Sequence, residues 1–98
     1  MKIEKEKSGQ TLFVKLEGRL DTKTSPDLEN EIFAETDISE IYFDFEQLVY
    51  VASAGLRVLL KAHKAVAAKK GKLVLKNIRE DVMEVLEMTG FADILTIE

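Results

Sequence analysis

Ser53 is the residue on which chemistry could turn. An apolar run ends at Val51, a helical pattern leaves toward about Lys70, and Ala52-Ser53-Ala54-Gly55-Leu56 joins the two. A hydroxyl at such a junction has three possible uses. As an N-cap it accepts bonds from the first free helical amides, and its removal costs about 1 kcal/mol. As a phosphoacceptor it would set about −1.5 to −2 charge against the positive end of a helix, and on a partner-binding face that charge can abolish docking. As a nucleophile it would need an elbow and a base. Val51 stands where the elbow requires its first glycine. The single histidine, His63, lies ten residues along the same helix, about 15 Å away at the helical rise, so no ordinary triad forms. The cap and phosphoacceptor uses are compatible.

Asp21 and Asp44 are each expected near a strand end, where both could face the serine. Their plainest roles are a turn residue and a hydrogen-bonded strand-end acid. Two carboxylates so far apart in sequence, with no local spacing pattern, do not make a metal site. The chain has no cysteine, which removes disulfides, thiolate ligands and thiol nucleophiles. Gly18, Gly55, Gly71 and Gly90 are isolated, each at an expected element end, so there is no phosphate-cradling loop. No cofactor and no metal are expected.

The elements that must position these residues are legible in the patterning. Lys2–Lys7 and Leu12–Glu17 alternate with a period of two around the Ser8-Gly9 turn signal, the pattern of an N-terminal hairpin. Gly18-Arg19-Leu20-Asp21 is expected to end it. Thr24-Ser25-Pro26-Asp27 is a helix start, with a hydroxyl cap, an early proline and an early acid. Leu28, Ile32 and Phe33 mark one face of a short helix, and Thr36–Ser39 closes it. Ile41–Phe45 reads as a central strand covered on both sides, with Glu46-Gln47-Leu48 as connector. Leu56, Leu59, Leu60, Ala62 and Val66 recur at helical spacing, and Gly71 is the stop. Lys72–Lys76 is the next strand, parallel to the previous one because a helix joins them. A third helix follows from Glu80, with Val82, Val85, Leu86, Met83 and Met88 inward. Gly90 ends it, and Ile94–Ile97 is a last strand. The order is β-β-α-β-α-β-α-β, an α/β mixed sheet with helices packed on it.

Composition narrows the function. The chain has 98 residues, 46% of them hydrophobic, which is expected to make one globular domain over residues 1–98. The net charge of −4 argues against a nucleic-acid partner, which selects a basic face. No apolar run is long enough to span a membrane, and the charged N-terminal residues lack a signal-peptide core. The expectation is a cytoplasmic monomer that contacts neither nucleic acid nor membrane.

Taken together, Gly18-Arg19-Leu20-Asp21, Ile41–Phe45, Tyr50-Val51-Ala52-Ser53-Ala54-Gly55-Leu56, the lysine-rich helix with Gly71, and Val82 through Gly90-Phe91 and Ile94-Leu95 resemble the anti-sigma factor antagonists, the stand-alone STAS domains. The likeness spans nearly the whole chain, in order. It implies a STAS-like fold and a regulator in place of an enzyme. It further implies binding, when unphosphorylated, to an anti-sigma factor that is also a serine kinase, with release of a sigma factor. Phosphorylation by that kinase is implied at Ser53, with a phosphatase as the resetting partner. The implied partner face comprises Gly18, Asp21, Ala52, Ser53, Ala54, Gly55, Leu56 and Arg57. Ala52 and Ala54 depart from a pattern that often has Asp before the serine and a second Ser after it, which leaves Ser53 as the one hydroxyl in the corner. The alternative is a ligand-sensing (nucleotide) or scaffold module of the same fold in which Ser53 is only a helix cap.

Overall fold

A computed structural model describes residues 1–98. The elements are β1 (Lys2–Ser8), β2 (Thr11–Leu20), α1 (Ser25–Phe33), β3 (Glu40–Val51), α2 (Ser53–Ala67), β4 (Lys72–Lys76), α3 (Glu80–Met88), α4 (Phe91–Ile94) and β5 (Thr96–Ile97). The five strands form one sheet in the order β1-β2-β3-β4-β5. β1 and β2 are an antiparallel hairpin, and β3, β4 and β5 are each parallel to the strand before. The mixed α/β architecture expected from the sequence is present, with the short α4 added.

The strand order explains which face is covered. Every helical crossover steps the same way across the sheet, and crossovers of this kind are right-handed. All helices therefore fall on one side. Leu12, Val14 and Leu16 of β2, Phe43 and Phe45 of β3 and Leu59 of α2 belong to one cluster of 22 buried residues on that side. Lys5 of β1 reaches over to α1 and pairs with Glu31 at 2.9 Å and Glu35 at 3.0 Å. The other face carries no helix, although Val74 of β4 is fully buried there. β3 was expected to be covered on both sides; instead its burial alternates from Glu40 to Phe45, and Tyr42 lies on the open face.

Four further expectations change. Glu46-Gln47-Leu48 is no connector, because β3 runs unbroken to Val51. β2 does not stop before Gly18 but continues to Leu20 beside it, through two register shifts at Lys15/Glu17 and Gly18/Arg19. β3 holds the extra residue at each, which bends and twists the ribbon. Gly18 sits at the second shift with φ +107°, a backbone conformation costly for other residues. Gly71 is required for another reason than helix termination. A Cβ there would fall 1.5 Å from the Ser39 carbonyl oxygen, while Lys70 carries the left-handed φ of +61°. Lastly, Met88 is 86% exposed, outside the inward stripe of Val82 and Leu86.

Candidate functional site

The twisted β2–β3 ribbon delivers its two strand ends to one corner. Leu20 closes β2 and Val51 closes β3, as cross-strand partners. The Ala52 amide then donates to the Leu20 carbonyl at 2.9 Å. α2 begins one residue later, and Gly55 in its first turn packs on Leu20. A Cβ at position 55 would lie 2.6 Å from Leu20 Cγ and 3.1 Å from its carbonyl oxygen. Glycine is what lets the helix start so near the strand.

The expected cap is not where Ser53 stands. The N-cap is Ala52, with φ −101° and ψ 171°, and no side chain caps the helix. Ser53 is the first helical residue, it is exposed, and no bond within the chain engages its hydroxyl. The first turn of α2 carries no acid, so no charge of its own offsets the positive end of the helix dipole. Arg57 follows one helical turn later and is exposed. The cap reading of Ser53 is therefore not met: Ala52 holds the cap position and no side-chain bond caps the helix.

Asp21 lies beside this corner and is fixed by local bonds. Its Oδ1 accepts from the amides of Lys23 and Thr24, both at 3.0 Å. The Thr24 hydroxyl accepts from the Asp21 amide at 2.9 Å and donates to the Arg19 carbonyl at 2.8 Å. This is an Asx-type turn, and Ser25 Oγ adds a bond to the Asp21 carbonyl. The Thr24 amide, more than any other group, holds the Asp21 carboxyl below its ordinary pKa; the Thr24 hydroxyl, the Lys23 amide and Arg19 add to it. Thr24 and Ser25 thus serve the turn and not the helix end, where no side-chain cap bond forms.

Of the sequence-derived surface, Ala52 and Ala54 are half-buried and Ser53 and Arg57 are exposed around the corner, while Gly18, also half-buried, pairs with Leu48 beside Met1 before the strands end. Gly55 and Leu56 face inward as core. A groove of about 340 Å³ runs between the start of α1 and α2, lined by Thr22, Ser25, Ala54 and Arg57 among others. Asp44 does not join the corner. Its Oδ1 accepts from Asn77 at 3.1 Å and from the Glu46 amide at 3.0 Å, so it ties β3 to the residue after β4. His63 is half-buried in mid-helix, with Nδ1 lacking a partner.

Sequence reasoning missed Arg19, Val49 and Tyr50. Val49 and Tyr50 are 44% and 39% exposed, and the Arg19 guanidinium lies 4.1 Å from the Tyr50 ring centre. Arg19 and Tyr50 are cross-strand partners just beyond the second shift. The signal was two adjacent apolar residues in a strand, which a regular pleat cannot bury on one face.

No helix is long and apolar enough to cross a membrane. The STAS domain family matches residues 2–98. BtrV of Bordetella bronchiseptica, an anti-sigma factor antagonist by name, is 34% identical over 99% of this chain and 85% of its own length. The anti-sigma-B factor antagonist of Listeria monocytogenes is 25% identical over 96% of this chain and 84% of its own length. Among solved structures, the antagonist SpoIIAA in its unphosphorylated form superposes with a TM-score of 0.79 at 20% identity, covering 99% of this chain and 87% of that one. The phosphorylated form of the Bacillus protein gives 0.78 at 20% identity, covering 99% and 91%. The chain belongs to the STAS domain family and, within it, to the anti-sigma factor antagonists.

Proposed function

We propose that this chain binds a serine-kinase anti-sigma factor through the corner formed by Gly18, Asp21, Ala52, Ser53, Ala54 and Arg57, and that phosphorylation of Ser53 ends the binding. Binding of the unmodified chain frees a sigma factor, and a phosphatase restores the hydroxyl. The observation that carries this reading is the state of Ser53: exposed, unbonded, and at the first position of a helix with no acid in its first turn. A kinase can reach such a hydroxyl without breaking an existing bond. The new charge sits favourably on its own helix, so the switch acts on the partner and not on the fold. Gly55 and Leu56 contribute by placing the helix against Leu20, not by touching the partner.

The test compares binding of the wild type, Ser53→Ala and Ser53→Asp to a kinase-type anti-sigma factor, by calorimetry without ATP. The reading expects wild type and Ser53→Ala to bind alike and Ser53→Asp to lose at least about tenfold, as a single desolvated charge at an interface does. Equal affinity of all three would overturn it.

A further inference from the structure

The bare face of the sheet carries an ordered pattern of side chains. Ladder pairing places Glu6, Phe13, Tyr42 and Val74 in one row across four strands, with Val74 already covered by its own neighbours. The next row is Glu4, Lys15, Asp44 and Lys76. Phe13 and Tyr42 stack with centroids 5.5 Å apart and planes 19° from parallel, yet Phe13 remains 45% exposed. Lys72 and Lys76 lie 5.6 and 5.3 Å from the Tyr42 ring centre. A groove of about 440 Å³ runs over Phe13, Lys15, Tyr42, Asp44 and Lys76 among others.

The charged row reads minus, plus, minus, plus. Reversed, it reads plus, minus, plus, minus. A two-fold axis parallel to the strands, between β2 and β3, reverses the row and turns a second face onto the first. Glu4 then lies opposite the second copy's position 76, and Lys15 opposite its position 44; within each copy Glu4 pairs with Lys2 at 3.2 Å and Lys76 with Glu98 at 3.5 Å, exposed pairs that the contact would exchange or share. In the aromatic row Phe13 meets the second copy's position 42. The third row, Ser8, Thr11, Glu40 and Lys72, brings hydroxyls against charges. This gives an aromatic centre between two polar rims, the usual anatomy of an interface, with the self-complementarity that an isologous contact requires.

We infer that the open sheet face is a self-association surface, on which a second copy of this chain packs face to face about an axis along the strands. Four strands at about 4.8 Å and three rows at about 6.8 Å give roughly 400 Å² per copy. The total, about 800 Å², is below the roughly 1,200 Å² of stable complexes, so the pair is a weak one that forms at high local concentration. The inference departs from the monomer expected as the default and is independent of the role of Ser53. Because the axis follows the strands, both Ser53 corners point to the same end of the pair, free of the contact.

Sedimentation velocity at rising concentration tests this with single substitutions. The wild type is expected to shift toward the dimer only at the highest concentrations, as an interface below the standard size does. Lys76→Glu sets acid against Glu4 and Glu4→Lys sets base against Lys76, so each variant alone is expected to weaken association about tenfold. An equimolar mixture of the two restores opposite charges at both positions and is expected to regain wild-type association. Thermal melts of each variant monitor the fold, and Phe13→Ser is expected to abolish the shift. A wild type that stays monomeric to about 1 mM, or a mixture no better than its components, would overturn the inference.

Discussion

The Ala52 amide donates to the Leu20 carbonyl at 2.9 Å, and this bond joins the two loops of the corner. It brings the end of β2, with its Asp21 turn, against the start of α2, with Ser53. Gly55 closes the gap on the helix side of the same leucine. The position of Ser53 relative to Asp21 thus depends on one strand end and one missing side chain.

Gly55→Ala should therefore act at the corner itself. The added methyl meets Leu20 well inside contact distance, and overpacking of this kind costs about 1–3 kcal/mol. Urea unfolding should show a lowered midpoint with an unchanged slope. The same variant should bind its partner more weakly even where it is fully folded.

Capping gives a second expectation, a gain at one residue and near-neutrality at the next. Ala52 already has the extended backbone of an N-cap but no oxygen to offer. Ala52→Ser or Ala52→Asp should stabilise the protein by about 1 kcal/mol. Ser53→Ala should change stability by no more than about 0.5 kcal/mol, because it removes an exposed, unbonded hydroxyl. Urea midpoints of the three variants decide it.

How much of this was legible in the sequence follows from which interactions are local. The hairpin and the helices from Ser25, Ser53 and Glu80 are written in short-range periodicity, and the structure has them. The corner was legible as two short runs, Gly18–Asp21 and Ala52–Leu56. The cap position was not, because a shift of one residue changes no pattern. The open face was not either. Ile41–Phe45 is apolar at Tyr42, and a run of that kind is shared by strands buried on two faces and strands that carry an aromatic on a bare face. Only the monotonic strand order distinguishes them, and strand order is a long-range property. Val49 and Tyr50 escaped for the same reason. Their exposure depends on two shifts in the pairing of β2 with β3.

Asp21 supplies a pH expectation. Its carboxyl titrates below the ordinary 3.8 in the folded chain. A depressed carboxyl stabilises the fold above the unfolded-state pKa, and the contribution is lost as pH falls through the folded value. The window thus lies below about pH 3.9, and the turn should be indifferent to pH near neutrality. Carboxyl-carbon NMR titration should place Asp21 below free aspartate. Thr24→Val removes the hydroxyl but keeps the amide, and should move the value only part of the way back.

The central claim, that Ser53 is the switch, is tested most directly by intact mass and peptide mapping after incubation with ATP and a kinase-type anti-sigma factor. The account predicts one added phosphate, on Ser53, absent in Ser53→Ala, together with loss of the complex as the phosphate accumulates. A phosphate on another residue, or a phosphorylated Ser53 that leaves the complex intact, would contradict it.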